Sequence, residues 1–315
     1  MRLLTFRVGS EMRLGAELGD KVVDLNAALV WMLEQSGELV ANRLAQALLP
    51  SDMLSFLQAG LRARQEGQRV LEYIAAVGSH SDLPAGILFE RSNVQECAPI
   101  PRPGKVICVG VNYRNHVMEM KREIPTIPVI FAKLANTIVG PEAAVPMPRV
   151  STDLDYEAEL AVVIGRKGRY IKESEAYDYV AGYTAFNDIS VRDWQRRTPQ
   201  WLQGKSFDKT GPLGPVLVTV DEIPNPHQLD IRSYVNGELR QNDNTDKMIF
   251  NVPFLVSFIS QVMTLEPGDV IATGTPGGVG FAMDPPRFMK VGDTVRVEID
   301  QIGYLENYIV ADESV

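Results

Sequence analysis

The segment DYEAELAVVIG, residues 155–165, places Glu157 and Glu159 at the start of a run rich in β-branched residues. That run ends at a glycine, a pattern that predicts a strand entering a turn. Side chains alternate faces along a strand, so the two glutamates point the same way. Two acids on one face repel each other unless a cation lies between them, and Mg²⁺ or Mn²⁺ prefers such oxygen ligands. The alternative is a solvated strand face that carries two surface glutamates.

A third acid, Asp188, follows the strand-like stretch at residues 182–184 and precedes a polar segment. An aspartate in this position is often an N-cap, whose carboxylate accepts hydrogen bonds from the first turn of a helix. If Asp188 instead joins the glutamate pair, three carboxylates leave roughly three positions of an octahedral ion for water and substrate. Such an open site suits catalysis better than a structural role.

A histidine and a glutamate, His116 and Glu119, lie three residues apart in NYRNHVME, residues 112–119. They follow an apolar stretch, residues 105–111, that predicts a strand. In a helix this spacing puts both side chains on one face, where the carboxylate orients and charge-stabilises the imidazole. The pair is typical of a general base that activates water. A purely structural histidine is the alternative.

Lys205 lies in GKSFD, residues 204–208, which suggests a phosphate-binding loop. That motif needs glycine at position 199, where Pro199 stands, so the nucleotide hypothesis fails. Lys205 is then either a surface lysine or a cation in an acidic pocket, where it binds a carboxylate or stabilises an enolate.

A glycine-rich loop, TGTPGGVG at residues 273–280, follows a predicted strand at residues 270–272. The backbone N–H groups around Gly274 and the Thr275 hydroxyl are suited to cradling an anion. No helix-forming sequence follows, which argues against a dinucleotide-binding fold. Arg192 and Gln195 add polar groups close to Asp188 in the sequence, although alone they are typical of a surface.

The composition limits the partners of this chain of 315 residues. Its net charge of −9 argues against nucleic acid or an anionic membrane. Two cysteines, Cys97 and Cys108, provide neither a disulfide framework nor a cysteine metal site. The longest uncharged run, residues 248–265, has apolar residues at helical spacing and predicts a buried helix rather than a membrane span. We expect a cytoplasmic enzyme.

Three regions are expected along the chain. Residues 1–80 predict a small α/β domain of three strands followed by helices, the last of them over residues 53–76. A proline-rich linker, residues 81–104, leads to residues 105–315, which are mainly strands. In this last part Asn236-Gly237 between two extended runs predicts a hairpin.

Taken in order, these segments resemble the fumarylacetoacetate hydrolase superfamily over about residues 100–310. The motifs that carry the resemblance are GVNY (110–113) with His116 and Glu119, DYEAE (155–159), ND (187–188), RDWQ (192–195), GKS (204–206), VNGE (235–238) and TGTP (273–276). Their joint occurrence in this order is far more specific than any one of them. The chain looks most similar to the shorter bacterial members that act on acylpyruvates or oxaloacetate.

The resemblance implies an α+β fold, in which a mixed β-sheet roll forms the catalytic domain behind a small α/β N-terminal domain. It also implies a homodimer and a metal ion, Mg²⁺ or Mn²⁺, on Glu157, Glu159 and Asp188. The base pair His116 and Glu119 is expected on a lid, residues 114–125, that orders over bound substrate.

In this family a 2-oxo acid chelates the metal through its keto oxygen and carboxylate. The resemblance implies that Lys205 and Gln195 contact this chelating end. Thr275, with backbone N–H groups such as that of Gly274, is expected to cradle the carboxylate. Arg192 completes the predicted substrate-binding set.

We hypothesise that the protein cleaves the C–C bond next to a chelated 2-oxo acid, as in the hydrolysis of an acylpyruvate. His116, assisted by Glu119, would deprotonate the attacking water, and a pyruvate enolate would be stabilised by the divalent ion and Lys205. Decarboxylation of oxaloacetate is the first alternative, and hydration or isomerisation of an unsaturated 2-oxo acid is the second. A binding protein without turnover is a third, but none of the candidate site residues is disrupted.

Overall fold

The computed structural model describes residues 1–77 and 83–313. The predicted junction between the N-terminal domain and the linker falls at residues 80 and 81, and both lie outside the described residues. No helix of the described part is both long enough and apolar enough to cross a membrane.

The N-terminal region consists of three antiparallel strands followed by helices, as the sequence predicts. Its elements are β1 (Arg2–Val8), β2 (Glu11–Leu18), β3 (Lys21–Asp24), α1 (Leu25–Gln35), α2 (Ala41–Leu48), α3 (Met53–Ala59) and α4 (Leu61–Ala76). The single helix expected over residues 53–76 is wrong, because Gly60 has a φ of 71° and divides it in two. Asp24 caps α1 by accepting a hydrogen bond from the Ala27 N–H at 2.9 Å.

The rest of the described chain is mainly strands. Its elements are β4 (Leu88–Glu90), β5 (Gln95–Cys97), β6 (Val106–Gly110), α5 (Arg114–Glu119), β7 (Val129–Lys133), β8 (Ile138–Val139), β9 (Ala144–Met147), β10 (Leu154–Asp155), β11 (Ala158–Ile164), β12 (Val180–Asn187), β13 (Ser190–Val191), α6 (Arg192–Gln195), α7 (Leu202–Lys205), β14 (Gly211–Thr219), β15 (Asp230–Val235), β16 (Glu238–Asn244), α8 (Val252–Val262), β17 (Val270–Ala272), β18 (Thr294–Ile299) and β19 (Gly303–Ala311). Short 3-10 helices cover Arg91–Asn93, Ala135–Thr137, Glu173–Tyr179, Thr245–Lys247 and Gly280–Ala282.

Most strands belong to one mixed sheet of 12 strands, whose main path runs β4-β3-β2-β1-β14-β12-β11-β17-β6-β7. A second sheet of five strands has the order β16-β15-β18-β19-β9. Alternate residues of β15 and β18 are buried, as expected for strands that cover the core with one face. The predicted α+β fold with mixed sheets is confirmed.

The strands of the N-terminal region continue the large sheet, because β1 pairs with β14. The segment expected to be a linker also contributes strands, since β4 pairs with β3 and β5 pairs with β1. The proline-rich composition of this segment concealed these three-residue strands. The division into an N-terminal domain, a linker and a catalytic domain stays a prediction.

Strand β11 is buried along its whole length. Leu160 and Val162 pack into one hydrophobic core, whereas Ala161 and Val163 pack into another, so the strand lies between two cores. Glu159 belongs to the same face as Ala161, because side chains alternate along a strand. The protein therefore places an acidic side chain at one end of a strand that is buried throughout.

Candidate active site

Three carboxylates, those of Glu157, Glu159 and Asp188, come together at the end of β11. Each offers an oxygen within 4.8 Å of the others, and all three side chains are buried. Antiparallel pairing of β11 with β12 sets Ala158 opposite Asn187, which brings the residues just before and after these strand ends side by side. The Asp188 N–H donates to the Glu157 carbonyl at 2.9 Å, which links the residue before β11 to the residue after β12. Asp188 is not the N-cap of α6, because that helix begins at Arg192 with Val191 as its cap residue.

Two of the three carboxylates are paired with buried cations. Lys205 Nζ lies 2.6 Å from Glu157 Oε2 and 2.8 Å from Asp188 Oδ2. Arg192 Nη1 lies 2.7 Å from Glu157 Oε1. Burial alone would raise the pKa of Glu157, but the charges of Lys205 and Arg192 outweigh it and lower the pKa to about 2. The proposal that Lys205 is a surface lysine is therefore wrong, since it is 1% exposed.

The sequence analysis did not identify a further lysine of the site, Lys133. Its ammonium group lies 2.9 Å from Asp188 Oδ1 and donates to the Ile189 carbonyl at 2.9 Å, with the side chain fully buried. Burial lowers the pKa of Lys133 and outweighs the opposing effect of Asp188. The sequence offers only a lysine at the end of the apolar stretch VIFAK as a signal, and burial does not alternate along this strand.

Glu159 differs from its two neighbours, since its hydrogen bond comes from a neutral backbone group. The Gly274 N–H donates to Glu159 Oε2 at 2.9 Å. Burial raises the pKa of Glu159 well above the ordinary range, and the charges of Asp188 and Glu157 raise it further. A buried carboxylate beside two others, with no cationic side chain of the described chain paired to it, fits a site that is completed by a metal cation.

The six buried charged side chains described so far form what we call the floor of the site: Glu157, Glu159, Asp188, Lys133, Arg192 and Lys205. Asp155, which is also buried, holds Arg192 in place by accepting a hydrogen bond from its Nε at 2.8 Å. The same carboxylate accepts from the backbone N–H groups of Gly280 at 2.8 Å and Phe281 at 3.0 Å. Asp155 thus ties the floor to the end of the glycine-rich loop, a role that its place in DYEAE did not reveal.

His116 and Glu119 form the predicted pair on α5. His116 Nδ1 lies 2.9 Å from Glu119 Oε1, and the other oxygen, Oε2, accepts the Gly278 N–H at 2.8 Å. The predicted helix over this segment is present, and it begins at Arg114 after a short turn that follows β6. Because Glu119 is held from both sides, it fixes the orientation of the imidazole and leaves Nε2 available to a substrate.

His116, Lys205, Glu157 and Glu159 line one cavity of about 300 Å³. The cavity adjoins the turn between β6 and α5, where Val111 has a φ of 60°. A β-branched residue in this left-handed region costs about 1–3 kcal/mol, and such strain is concentrated at functional sites. At Gly110 a Cβ atom would lie 2.4 Å from the ring of Trp201, which explains the glycine of GVNY.

The predicted substrate-binding residues surround the same cavity. Arg192, Gln195 and Thr275 line it, and Arg192 Nη1 donates to Gln195 Oε1 at 3.0 Å. The N–H of Gly274 is directed at Glu159, so this residue positions a carboxylate of the floor. Their contacts with a substrate stay predictions.

Two buried amides that the sequence analysis did not assign hold the loops around the cavity. Gln241 donates to Thr275 Oγ1 at 2.8 Å and to the Pro276 carbonyl at 2.9 Å, while its oxygen accepts the Ala158 N–H at 3.0 Å. Asn112 donates to the Thr273 carbonyl at 2.7 Å and accepts the Phe250 N–H at 2.8 Å. Neither pairing could be found from the sequence, since the partners are distant along the chain.

The arrangement of these residues agrees with a family comparison. Residues 105–310 match the family described as fumarylacetoacetate (FAA) hydrolase C-terminal. The chain belongs to this family. The resemblance inferred from the motifs is confirmed, and with it the conclusion that the protein belongs to a family of enzymes acting on small molecules.

Relatives cover nearly the whole chain. An oxaloacetate tautomerase of Xenopus laevis is 43% identical over 98% of this chain and 90% of its own length. A human oxaloacetate tautomerase is 42% identical over 98% of this chain and 92% of its own. Among solved structures, maleylpyruvate hydrolase from Sphingobium, in complex with manganese(II) and pyruvate, has a TM-score of 0.74 at 28% identity and covers 99% of each chain.

These comparisons correct one expectation. The Xenopus and human tautomerases are both named as mitochondrial proteins, which contradicts the cytoplasmic location expected from the acidic composition. Net charge reports on solubility and association, and it carries no address within the cell. The predicted homodimer stays a prediction.

Proposed function

We propose that the protein moves a proton at C3 of oxaloacetate and so interconverts its keto and enol forms. The observation that carries the proposal is that His116, paired with Glu119, lines the same cavity as Lys205, Glu157 and Glu159. The third carboxylate, Asp188, has an oxygen within 4.8 Å of those of both glutamates. The names of the relatives at 42–43% identity supply the substrate.

The donor set of the floor fits a hard divalent cation, and we propose Mg²⁺ or Mn²⁺ on Glu157, Glu159 and Asp188. When bound, such an ion supplies a chelating point for the carboxylate and keto oxygens of a 2-oxo acid and stabilises negative charge on the keto oxygen. A manganese complex of a solved relative supports this assignment.

The chain's own residues then account for the proton transfer. The C3–H bond breaks, its proton passes to Nε2 of His116, and its electron pair forms the C2=C3 double bond. Negative charge develops on the keto oxygen, where the Lys205 ammonium group stabilises it. The imidazolium, held by Glu119, returns the proton to this oxygen to give the enol. No water is consumed, and nothing is oxidised or reduced.

Hydrolysis of an acylpyruvate is the second candidate on the same residues. Here His116 takes a proton from a water that attacks the distal carbonyl, the adjacent C–C bond breaks, and pyruvate leaves in its enol form. The solved maleylpyruvate hydrolase with bound pyruvate favours this candidate. Decarboxylation of oxaloacetate, and hydration or isomerisation of an unsaturated 2-oxo acid, are further candidates that share the chelating end.

The candidates are separated by their products. Purified protein is given oxaloacetate and acetylpyruvate side by side, with Mg²⁺, Mn²⁺ or EDTA, while enol absorbance, pyruvate and CO₂ are followed. The proposal expects rapid, metal-dependent equilibration of the oxaloacetate enol without stoichiometric pyruvate or CO₂. Metal-dependent release of pyruvate and acetate from acetylpyruvate would favour the hydrolase, and CO₂ from oxaloacetate would favour the decarboxylase.

A further inference from the structure

The positive charges around the cavity are of two kinds. Arg192 and Lys205 are buried and form ion pairs with the carboxylates of the floor. Arg122 and Arg196 also line the cavity but are exposed, and no carboxylate of the described chain forms an ion pair with either. We call these two arginines the mouth of the site. The mouth thus carries two positive charges without a counter-charge.

Arg196 is held in place by contacts that lead back to the floor. Its guanidinium carbon lies 3.8 Å from the centroid of the Phe281 ring, which also lines the cavity. The Phe281 N–H donates to Asp155, the same aspartate that accepts a hydrogen bond from Arg192. Stacking on an aromatic face fixes the plane of a guanidinium while leaving its N–H groups free to donate.

The next residue shows that this placement is not general to arginines at this end of α6. Arg197 forms an ion pair with Asp193 at 3.1 Å and lies 3.8 Å from the centroid of the Trp194 ring. Arg197 does not line the cavity. The two adjacent arginines therefore differ in where their charge lies. The charge of Arg197 is neutralised outside the cavity, whereas Arg196 lines the cavity and has no ion-pair partner among the described residues.

Arg122 belongs to a different segment, three residues after the end of α5 at Glu119. Burial lowers the pKa of Arg196, and the charges of Arg192 and Arg122 lower it further. Like charges that share a cavity repel each other, and an anion between them relieves that repulsion. Two guanidinium forks suit a carboxylate, which they can bind in a bidentate manner.

We propose that Arg196 and Arg122 bind the second carboxylate of a 2-oxo diacid whose chelating end lies on the floor. The inference rests on the proposed function, whose substrate oxaloacetate is such a diacid, and adds to it the two residues that recognise the distal carboxylate. A cavity of about 300 Å³ accommodates such a molecule. Specificity for diacids then comes from two residues outside the acid–base machinery.

The test compares two ligands of equal length, 2-oxoglutarate and 2-oxopentanoate, of which only the first has a distal carboxylate. Oxalate, which offers only a chelating end, is the reference ligand. Binding of each to the Mn²⁺-loaded protein is measured by titration calorimetry. Wild type is expected to bind the diacid at least about tenfold more tightly than the monoacid, the effect of one charge-assisted hydrogen bond. Arg196→Gln is expected to remove most of this preference and to leave oxalate affinity unchanged. Arg122→Gln should act in the same direction.

Arg197→Gln is the matched control, since it removes the same charge one residue away and should preserve the preference for the diacid. An equal loss in Arg196→Gln and Arg197→Gln would overturn the inference, because the effect would then come from general charge. Wild type that binds oxalate but does not distinguish diacid from monoacid would overturn it as well. Wild type that fails to bind oxalate at all would instead overturn the proposed function beneath it.

Discussion

The floor and the mouth of the site differ in how the chain supports their charges. All six charged side chains of the floor are at most 5% exposed, and they are placed by β7, β11, β12 and the short helices after them. The two arginines of the mouth are exposed and lie on loops that follow short helices. Burial makes the charges of the floor depend on one another, so a change there should alter both folding and metal binding. Changes at the mouth or on α5 should alter function alone.

The largest effect is expected when the floor loses a charge that it shares. Asp188→Asn leaves Lys133 and Lys205 buried beside a neutral amide and removes a predicted metal ligand. Breaking a buried ion pair costs about 3–5 kcal/mol, so chemical denaturation should show a loss of this size. Mn²⁺ binding, measured by calorimetry, should be abolished.

The control for this change is Asp193→Asn, five residues away, whose carboxylate pairs with the partly exposed Arg197. It should cost less than about 1 kcal/mol and preserve Mn²⁺ binding. Asp188→Asn protein with undiminished stability and metal affinity would remove the basis for treating the floor as one coupled unit.

On α5 the expected effect is catalytic. His116→Ala should lower the rate of oxaloacetate enolisation by about 10²–10⁴-fold, the usual range for a general base. The melting temperature and Mn²⁺ affinity should stay close to those of wild type, because within the described residues the imidazole of His116 forms a hydrogen bond with Glu119 alone. His227→Ala, at a half-buried histidine on the turn before β15, is the control and should retain full activity. Full enolisation activity in His116→Ala would rule out the assigned role.

A change at Lys133 tests whether a residue can stabilise the floor without contacting the substrate. Lys133 forms an ion pair with Asp188 but does not line the cavity. Lys133→Met should lower the free energy of unfolding by about 2–3 kcal/mol and change the rate less than tenfold. Lys167→Met, at a lysine 2.9 Å from Glu266 with both side chains exposed, should cost less than about 1 kcal/mol. A larger loss of rate than of stability in Lys133→Met would instead place Lys133 at the substrate.

The smallest effect concerns pH. In metal-free protein the raised pKa of Glu159 means that the folded state holds its proton more tightly than the unfolded state. This contribution to stability is present below the ordinary glutamate pKa and is lost as pH rises through the raised value.

With EDTA at neutral pH, Glu159→Gln should therefore raise the melting temperature by about 1–3 °C and flatten its decline with pH. The variant should also lose the stabilisation that wild type gains from Mn²⁺. A lower melting temperature of Glu159→Gln than of wild type in EDTA would contradict the raised pKa of Glu159.

The sequence indicated the site better than it indicated the architecture around it. Glu157 and Glu159 could be paired because alternation along a strand is a local rule, and His116 with Glu119 because helical spacing is another. Lys133 could not be assigned, since its partner Asp188 follows a strand far along the chain and only the sheet order brings them together. The same applies to Gln241, and to β1, whose pairing with β14 depends on residues far apart in the chain.

The central claim is that His116 moves a proton at C3 of a 2-oxo acid chelated on the floor. Exchange of the C3 hydrogens of oxaloacetate for deuterium, followed by NMR in D₂O, measures this step without depending on the fate of the product. Wild type with Mg²⁺ is expected to exchange them far faster than buffer, and EDTA or His116→Ala should remove most of the acceleration. Exchange at the rate of buffer in wild type with Mg²⁺ would contradict the claim, and acceleration that persists in His116→Ala would assign the proton transfer to another residue.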